Sequence, residues 1–176
     1  MNVTTALRRP RVLIVLTALF VLLAAAALWF KPWGLILNDT VIESAPVAVA
    51  VRTAPEVASE PDASPRATLQ GLNRSGSFVP GEHDISGTAR FIQTSQGVVL
   101  RLENLRTSNG PDVRVYLSTR TNGGVGPGDL QVGPIKANLG SHNYQVPAGS
   151  DVSKYDSVVI WCERFSVGFG HAVLEG

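Results

Sequence analysis

The sequence predicts an all-β domain, an antiparallel β-sandwich or barrel-like fold, preceded by one transmembrane helix and an extended linker. Apolar and polar residues alternate over 98–103 and again over 113–118, as they do in strands with one buried face. Turn-forming residues separate such runs, for example Asn-Gly-Pro-Asp at 109–112. No stretch after residue 70 has a sustained period of 3.6 residues. Several short strands at this spacing are typical of a sandwich or barrel.

Two further segments support strands in the second half of the chain. Residues 157–161 are almost continuously apolar, as expected for a strand covered on both faces. In the last apolar run, Gly168 and Gly170 interrupt the alternation. A β-bulge at these glycines would keep Phe169 and its apolar neighbours inward and turn His171 outward.

The N-terminal segment predicts a membrane anchor. Residues 12–30 contain Thr17 as their one polar residue and would span about 28 Å as a helix, close to the roughly 30 Å of a bilayer core. Three arginines lie within residues 1–11 and only Lys31 follows closely, so residues 1–11 are expected in the cytoplasm and the rest outside it. The prediction is therefore a single-pass protein of the cell membrane. The alternative is a cleavable signal peptide, because 24–27 are alanines.

The segment between the anchor and the domain has a different composition. Residues 31–70 are predicted to form a juxtamembrane segment and an Ala/Pro-rich stalk, since spaced prolines favour an extended, semi-rigid chain. Residues 71–176 then form the domain. The net charge of +1 gives no indication of a nucleic-acid partner, which would require a basic stripe. The single cysteine excludes an intramolecular disulfide, and no hydrolase or zinc-protease motif is present, so the residues give no indication of a catalyst.

Four ordered motifs within 71–176 resemble the DM13 domain family. They are Gly-Ser-Phe with Glu-His-Asp-Ile-Ser-Gly at 76–78 and 82–87, the run 99–105, Gly-Pro-Asp and its strand at 110–118, and the closing segments 155–165 and 169–174. The resemblance implies a β-rich extracytoplasmic module, found in bacteria in exported or anchored proteins, with a proposed electron-transfer role. The family's characteristic cysteine corresponds to Cys162, as a bare thiol or as the holder of a prosthetic group such as haem. The motif positions Ser86, Gly87, Gly110, Pro111 and Asp112 are interpreted as structural, because turns and strand bends require such residues.

Cys162 is the candidate redox group, and its neighbours bear on that role. A reactive thiol needs partial exposure and a positive neighbour, and Arg164 would share its face if the strand continued. Trp161 and Phe165 would supply an apolar wall for a flat cofactor, with Cys162 as axial ligand. The alternatives are a small buried hydrophobic residue at the end of a strand, and a disulfide to another chain.

Histidines provide the second set of candidates. His83 lies within a family motif and, with Cys162, is a candidate ligand for copper. Its alternative role is a turn residue bonded to nearby groups, while His142 and His171 are expected at the surface. The leading hypothesis is thus a membrane-anchored redox module that uses Cys162, with a redox partner protein in the envelope and haem or copper as candidate cofactors. The competing hypothesis is a cell-surface interaction domain with a structural cysteine.

Overall fold

The structure, a computed structural model, describes residues 8–30, 38–49 and 71–176. The chain divides into two units, Met1–Leu37 and Asn38–Gly176. The first contains helix α1, Arg8–Phe30. Among the described residues, no helix is both long and apolar enough to cross a membrane. The membrane anchor and the cytoplasmic position of the N-terminus therefore stay predictions.

In its described residues, 38–49 and 71–176, the second unit has nine strands, which confirms the mainly β architecture. They are β1 Thr40–Ile42, β2 Ser75–Pro80, β3 Ile85–Thr94, β4 Gly97–Thr107, β5 Val113–Ser118, β6 Leu130–Pro134, β7 Leu139–Gln145, β8 Ser157–Cys162 and β9 Val167–Val173. The strands form one sheet in the order β1-β7-β4-β3-β2-β9-β8-β5-β6, curled into a half-barrel. The expected antiparallel pairing holds from β2 to β9. The sheet as a whole is mixed, because β1, which lies in the segment expected to be a stalk, runs parallel to β7.

Strand β2 joins the two halves of the sheet. Its first three residues, from Ser75, pair with β3, and its last three, from Phe78, pair with β9. Gly76 permits this bend because a Cβ there would lie 2.0 Å from the backbone oxygen of Val173. The concave side of the sheet is filled by apolar side chains from both halves, among them Leu100, Leu102, Val115, Ile160, Cys162 and Phe169.

The bulge predicted for the last strand is confirmed. Ile160 pairs with Gly170, whereas the next residue, Trp161, pairs with Gly168. Phe169 is therefore the extra residue on β9, and it lies buried in the core. Beyond the bulge the alternation continues, so Ala172 is buried and His171 is only partly covered.

The structure differs from the predicted stalk at residues 38–49, which lie against the domain. Strand β1 adds to β7 with Thr40 opposite Leu139 and Ile42 opposite Ser141. We refer to residues 38–49 as the strap. The rest of the predicted stalk, 31–37 and 50–70, lies outside the described residues.

His142, expected at the surface, is instead completely buried on β7. It pairs with Leu102 of β4, and its ring meets that of Tyr144 edge-on at 6.4 Å between centroids. Nε2 lies 3.3 Å from the carbonyl oxygen of Leu139, and Nδ1 has no hydrogen-bond partner among the described residues. Burial lowers the pKa of His142, so the ring is neutral at physiological pH. The surface prediction failed because 139–145 lacks the apolar alternation that marks a half-buried strand.

Candidate functional site

Three turns that carry the motif residues meet at one end of the domain. They are the β2–β3 turn at 81–84, the β4–β5 turn at 108–112 and the β8–β9 turn at 163–166. Antiparallel pairing of β3 with β4, β2 with β9, and β8 with β5 brings these turns to the same end of the sheet. Motif segments that are distant in sequence are therefore neighbours in space.

His83 is held at this end by a stacked aromatic ring and a hydroxyl group. Its ring centroid lies 3.9 Å from that of Phe169, with 35° between the planes. Its Nδ1 lies 3.0 Å from Oγ of Ser108. Gly110 leaves room for this arrangement, since a Cβ there would approach Phe169 to 2.8 Å and Val113 to 2.6 Å. The Gly-Pro-Asp turn thus begins with glycine for a steric reason.

An open cleft of about 670 Å³ lies beside His83. Its lining brings together charged and hydroxyl side chains from the β2–β3 and β4–β5 turns and from the adjoining ends of β3 and β4: Glu82, Asp84, Ser86, Arg106 and Ser108. The cleft contains two carboxylates and one guanidinium. Because both signs of charge are present, it has no strong preference for an anion or a cation as ligand. Such a surface is suited to hydrogen bonding with a polar partner.

Cys162 is the last residue of β8 and a free thiol in the core. The residue has 0% exposure, pairs with Val113 on one side and Val167 on the other, and belongs to the main apolar cluster. Strand β8 ends at this residue, so Arg164 does not continue on its face. Arg164 and Phe165 instead lie in the β8–β9 turn, where Phe165 is 64% exposed.

Trp161 lies on the opposite, outer face of β8. It is half-buried, stands opposite Arg114, and packs across Gly168, where an added Cβ would lie 3.8 Å from the indole ring. The structure therefore does not bring Trp161, Arg164 and Phe165 together around the sulfur atom.

The residues around Cys162 do not fit a haem or copper group. An axial or equatorial ligand must present its sulfur to a cavity, whereas Cys162 is enclosed by apolar neighbours. Within the described ranges, no group of three or more His, Cys, Asp or Glu side chains is arranged to hold a metal ion. His83 has Ser108 and Phe169 as its closest ring partners.

Asp112 and Gly87 have structural roles. The Asp112 carboxylate accepts a hydrogen bond from Nε of Arg114 at 2.9 Å, and its carbonyl oxygen accepts one from the backbone N–H of Glu163. The β4–β5 turn is thereby tied to the β8–β9 turn. Gly87 has φ of +118° at a bulge between β3 and β4, and a Cβ there would lie 2.7 Å from the carbonyl oxygen of Glu103.

Tyr116 adds a polar contact on the outer face of β5. Its hydroxyl donates to the carboxylate of Glu163, the residue after Cys162. Burial first, and then this hydrogen bond and the Glu163 charge, raise the pKa of Tyr116 to about 12. The phenol therefore stays protonated in the physiological range.

The sequence predicted Phe169 as an inward-facing residue, but it did not identify Ser108, Phe169 or Tyr116 as parts of the site. Phe169 and Tyr116 lie within the quoted motifs, so their motif membership was a signal that they matter. Ser108 offers no such signal, because its contact with His83 depends on how β3 and β4 pair.

Comparison with known protein families gives one match. The model of the family described as "Electron transfer DM13" matches residues 77–174, more than half of the chain. No curated protein and no solved structure matches the chain.

Proposed function

Because the chain belongs to the DM13 family, we propose that its domain serves electron transfer or a related redox role, with Cys162 as the reactive group. The observation that supports this is the family match itself, which spans 77–174 and includes the chain's one thiol. The position of Cys162 adds support, since it lies at the end of the domain where the motif turns meet.

A single thiol limits the chemistry to exchange with another molecule. The Cys162 thiolate attacks one sulfur of a disulfide in a partner, a new S–S bond forms between the two molecules, and the partner's own S–S bond breaks. The second partner sulfur leaves as a thiolate and keeps the electron pair. Two thiols of a small-molecule reductant complete the turnover. The first attacks the Cys162 sulfur and releases the partner as a dithiol, and the second attacks the sulfur of the first, which releases Cys162 as a thiolate and leaves the reductant as a disulfide.

Access to the thiol requires local opening. Residues 164–166 of the β8–β9 turn are exposed, and Cys162 directly precedes that turn. Turns with few buried contacts open more readily than the sheet they connect. We therefore place the route to the sulfur at the turn end of β8 rather than at its centre.

The complete burial of Cys162 favours a second candidate function, an interaction domain in which this cysteine is structural. In that case the cleft beside His83 is the surface that meets the partner, because it presents charged and hydroxyl groups from two motif turns. The redox role requires a Cys162 thiol that reacts in the folded protein, whereas the interaction role requires only that Cys162 packs in the core.

Thiol reactivity in the folded protein distinguishes them. We expect Cys162 to react with a small aromatic disulfide at least about tenfold faster than a cysteine placed at Val158 in the variant Val158→Cys/Cys162→Ala. Val158 is equally buried and lies on the same strand, four residues before Cys162 and away from the β8–β9 turn, so it is the matched control. The measurement is the absorbance of the released thiolate under native conditions. Equal rates, both set by global unfolding, would reject the redox role and support the structural one.

We further propose that residues 12–30 anchor the chain in the cell membrane and place the domain outside the cytoplasm. The charge asymmetry around this segment supports that orientation. A cysteine introduced at Ser59 is expected to react with a membrane-impermeant maleimide on intact cells. Reaction only after lysis would reverse the orientation, and a mature N-terminus near residue 27 would show cleavage of the segment.

A further inference from the structure

The strap, residues 38–49, contacts the domain mostly through its backbone. The N–H of Leu139 donates to the carbonyl oxygen of Asp39 at 3.1 Å, and the N–H of Glu43 donates to that of Ser141 at 2.8 Å. Further along, the N–H of Val49 donates to a carbonyl oxygen of β3 at 3.0 Å. The strap thus begins as an edge strand on β7 and then crosses the outer face of the sheet toward β3.

Glu43 is the side chain that fixes this crossing. Its carboxylate accepts hydrogen bonds from Nζ of Lys136 at 2.7 Å and from the backbone N–H of Asn143 at 2.5 Å. Its carbonyl oxygen accepts one from the Arg101 guanidinium at 3.1 Å. Partial burial alone raises the pKa of Glu43, but the bonds from Lys136 and Asn143 and the Lys136 charge lower it overall. The carboxylate therefore stays charged at neutral pH. It accepts the hydrogen bond of the Asn143 N–H, as a carbonyl oxygen of a neighbouring strand would do.

Two apolar residues outside the main core cluster are buried on the face that the strap crosses. Ile92 and Val99 pair across β3 and β4, and their neighbours Phe91 and Leu100 fill the concave side. Ile92 and Val99 consequently face outward, yet both are buried. The bond from Val49 to β3 places the strap over this part of the outer face.

The apolar residues of the strap itself are poorly covered. Ile42 is 81% exposed and Val47 is 86% exposed. Strand β1 is only three residues long and has a neighbour on one side only. Short edge segments with few buried apolar contacts are the least stable parts of a fold. The docked state therefore depends on Glu43, on a few backbone bonds and on hydrogen bonds with the side-chain amides of Asn138 and Asn143.

We propose that the strap is releasable. When it undocks, β7 loses its parallel partner strand and becomes the open edge of the sheet, while the core is unchanged. This inference does not depend on the redox role.

Amide hydrogen exchange on the full chain tests the release. In Glu43→Ala we expect the amides of Glu43, Leu139 and Val49 to exchange at least about tenfold faster, while the amides of β5 and β8 are unchanged. The matched control is Asp39→Ala, which removes a carboxylate from the same segment while its backbone contacts remain. Unchanged strap amides in Glu43→Ala, or equal acceleration in β5 and β8, would overturn the proposal.

The position of the strap on the domain has its own measurement. Spin labels at Val47→Cys and Ser95→Cys, in a Cys162→Ala background, report the distance from the strap to the β3–β4 turn. We expect one narrow distance distribution with Asp39→Ala and a broad, longer one with Glu43→Ala. Identical narrow distributions in the two variants would show that the strap stays docked and would reject the proposed release.

Discussion

Replacing Phe169 with alanine is expected to lower the free energy of unfolding by about 3–5 kcal/mol, the range measured for large aromatic residues in protein cores. Phe169 is only 2% exposed and is the bulged residue of β9. Its ring contacts the ring of His83 and borders Gly110. The substitution therefore leaves a cavity beneath both motif turns, which are too constrained by their own contacts to collapse into it.

Phe165→Ala is the matched control for this prediction. Phe165 lies four residues earlier, in the β8–β9 turn, and is 64% exposed, so its loss is expected to cost less than about 0.5 kcal/mol. Urea unfolding followed by tryptophan fluorescence measures both variants. Similar costs for the two substitutions would contradict the placement of Phe169 in the core and of Phe165 outside it.

Replacing Asp129 with alanine is expected to destabilise the domain by about 2–4 kcal/mol, because its carboxylate organises a whole loop. One oxygen accepts from the N–H and hydroxyl of Thr119, and the other accepts from Ser118 Oγ, the Gly126 N–H and the Arg120 guanidinium. The side chain is 1% exposed. Alanine would leave these donors unsatisfied.

The loop that Asp129 holds covers the outer face of the second half of the sheet. Gly123 lies against His171, where a Cβ would approach Nδ1 to 2.9 Å. Val159, which pairs with His171, is fully buried although it lies outside the main core cluster. We therefore expect Asp129→Ala to increase proteolysis within residues 119–128 as well as to lower stability.

Asp112→Ala provides the comparison for Asp129→Ala. Asp112 also pairs with an arginine, Arg114, but both side chains are about one-third exposed, so the expected cost is below about 1 kcal/mol. Urea unfolding at pH 7 measures both variants.

A series of urea unfolding measurements at different pH values adds a second check on Asp129. Burial alone raises its pKa, but hydrogen bonds from Thr119, Gly126 and Ser118 and the Arg120 charge lower it overall. Its stabilising effect is therefore present above the ordinary value of 3.8 and is lost as the pH falls through the lower folded value.

Local patterns in the sequence were sufficient to predict several strands. The alternation at 98–103 and 113–118 corresponds to β4 and β5, and the apolar run at 157–161 to β8. The glycine spacing near Phe169 predicted the bulge, because glycine marks positions where the pleat is interrupted. Strand β7 was not predicted, since its buried positions include polar residues whose burial depends on neighbouring strands.

The contacts of the candidate site could not be predicted from local sequence patterns, because they join residues that are distant in sequence. The importance of His83 followed from its motif, but its stacking on Phe169 depends on a pairing between β2 and β9, about 90 residues apart. The expectation that Arg164 flanks Cys162 assumed that β8 continues, whereas the strand ends at Cys162. The docking of the strap could not be predicted from the sequence either, because Glu43 accepts a hydrogen bond from Asn143, which is 100 positions away.

The double pairing of β2 has a consequence for how the domain forms. The first half of this strand pairs with β3, which follows it directly in the sequence. The second half pairs with β9, which lies near the end of the chain and is synthesised last. Pairings between distant segments are slow to form, because the entropy of loop closure is lost before any contact compensates for it. A chain emerging from the ribosome can assemble β2, β3 and β4 early, while Phe78 stays without its strand partner. Loss of the last ten residues, which removes all of β9, would therefore trap a half-formed sheet with an open edge prone to aggregation.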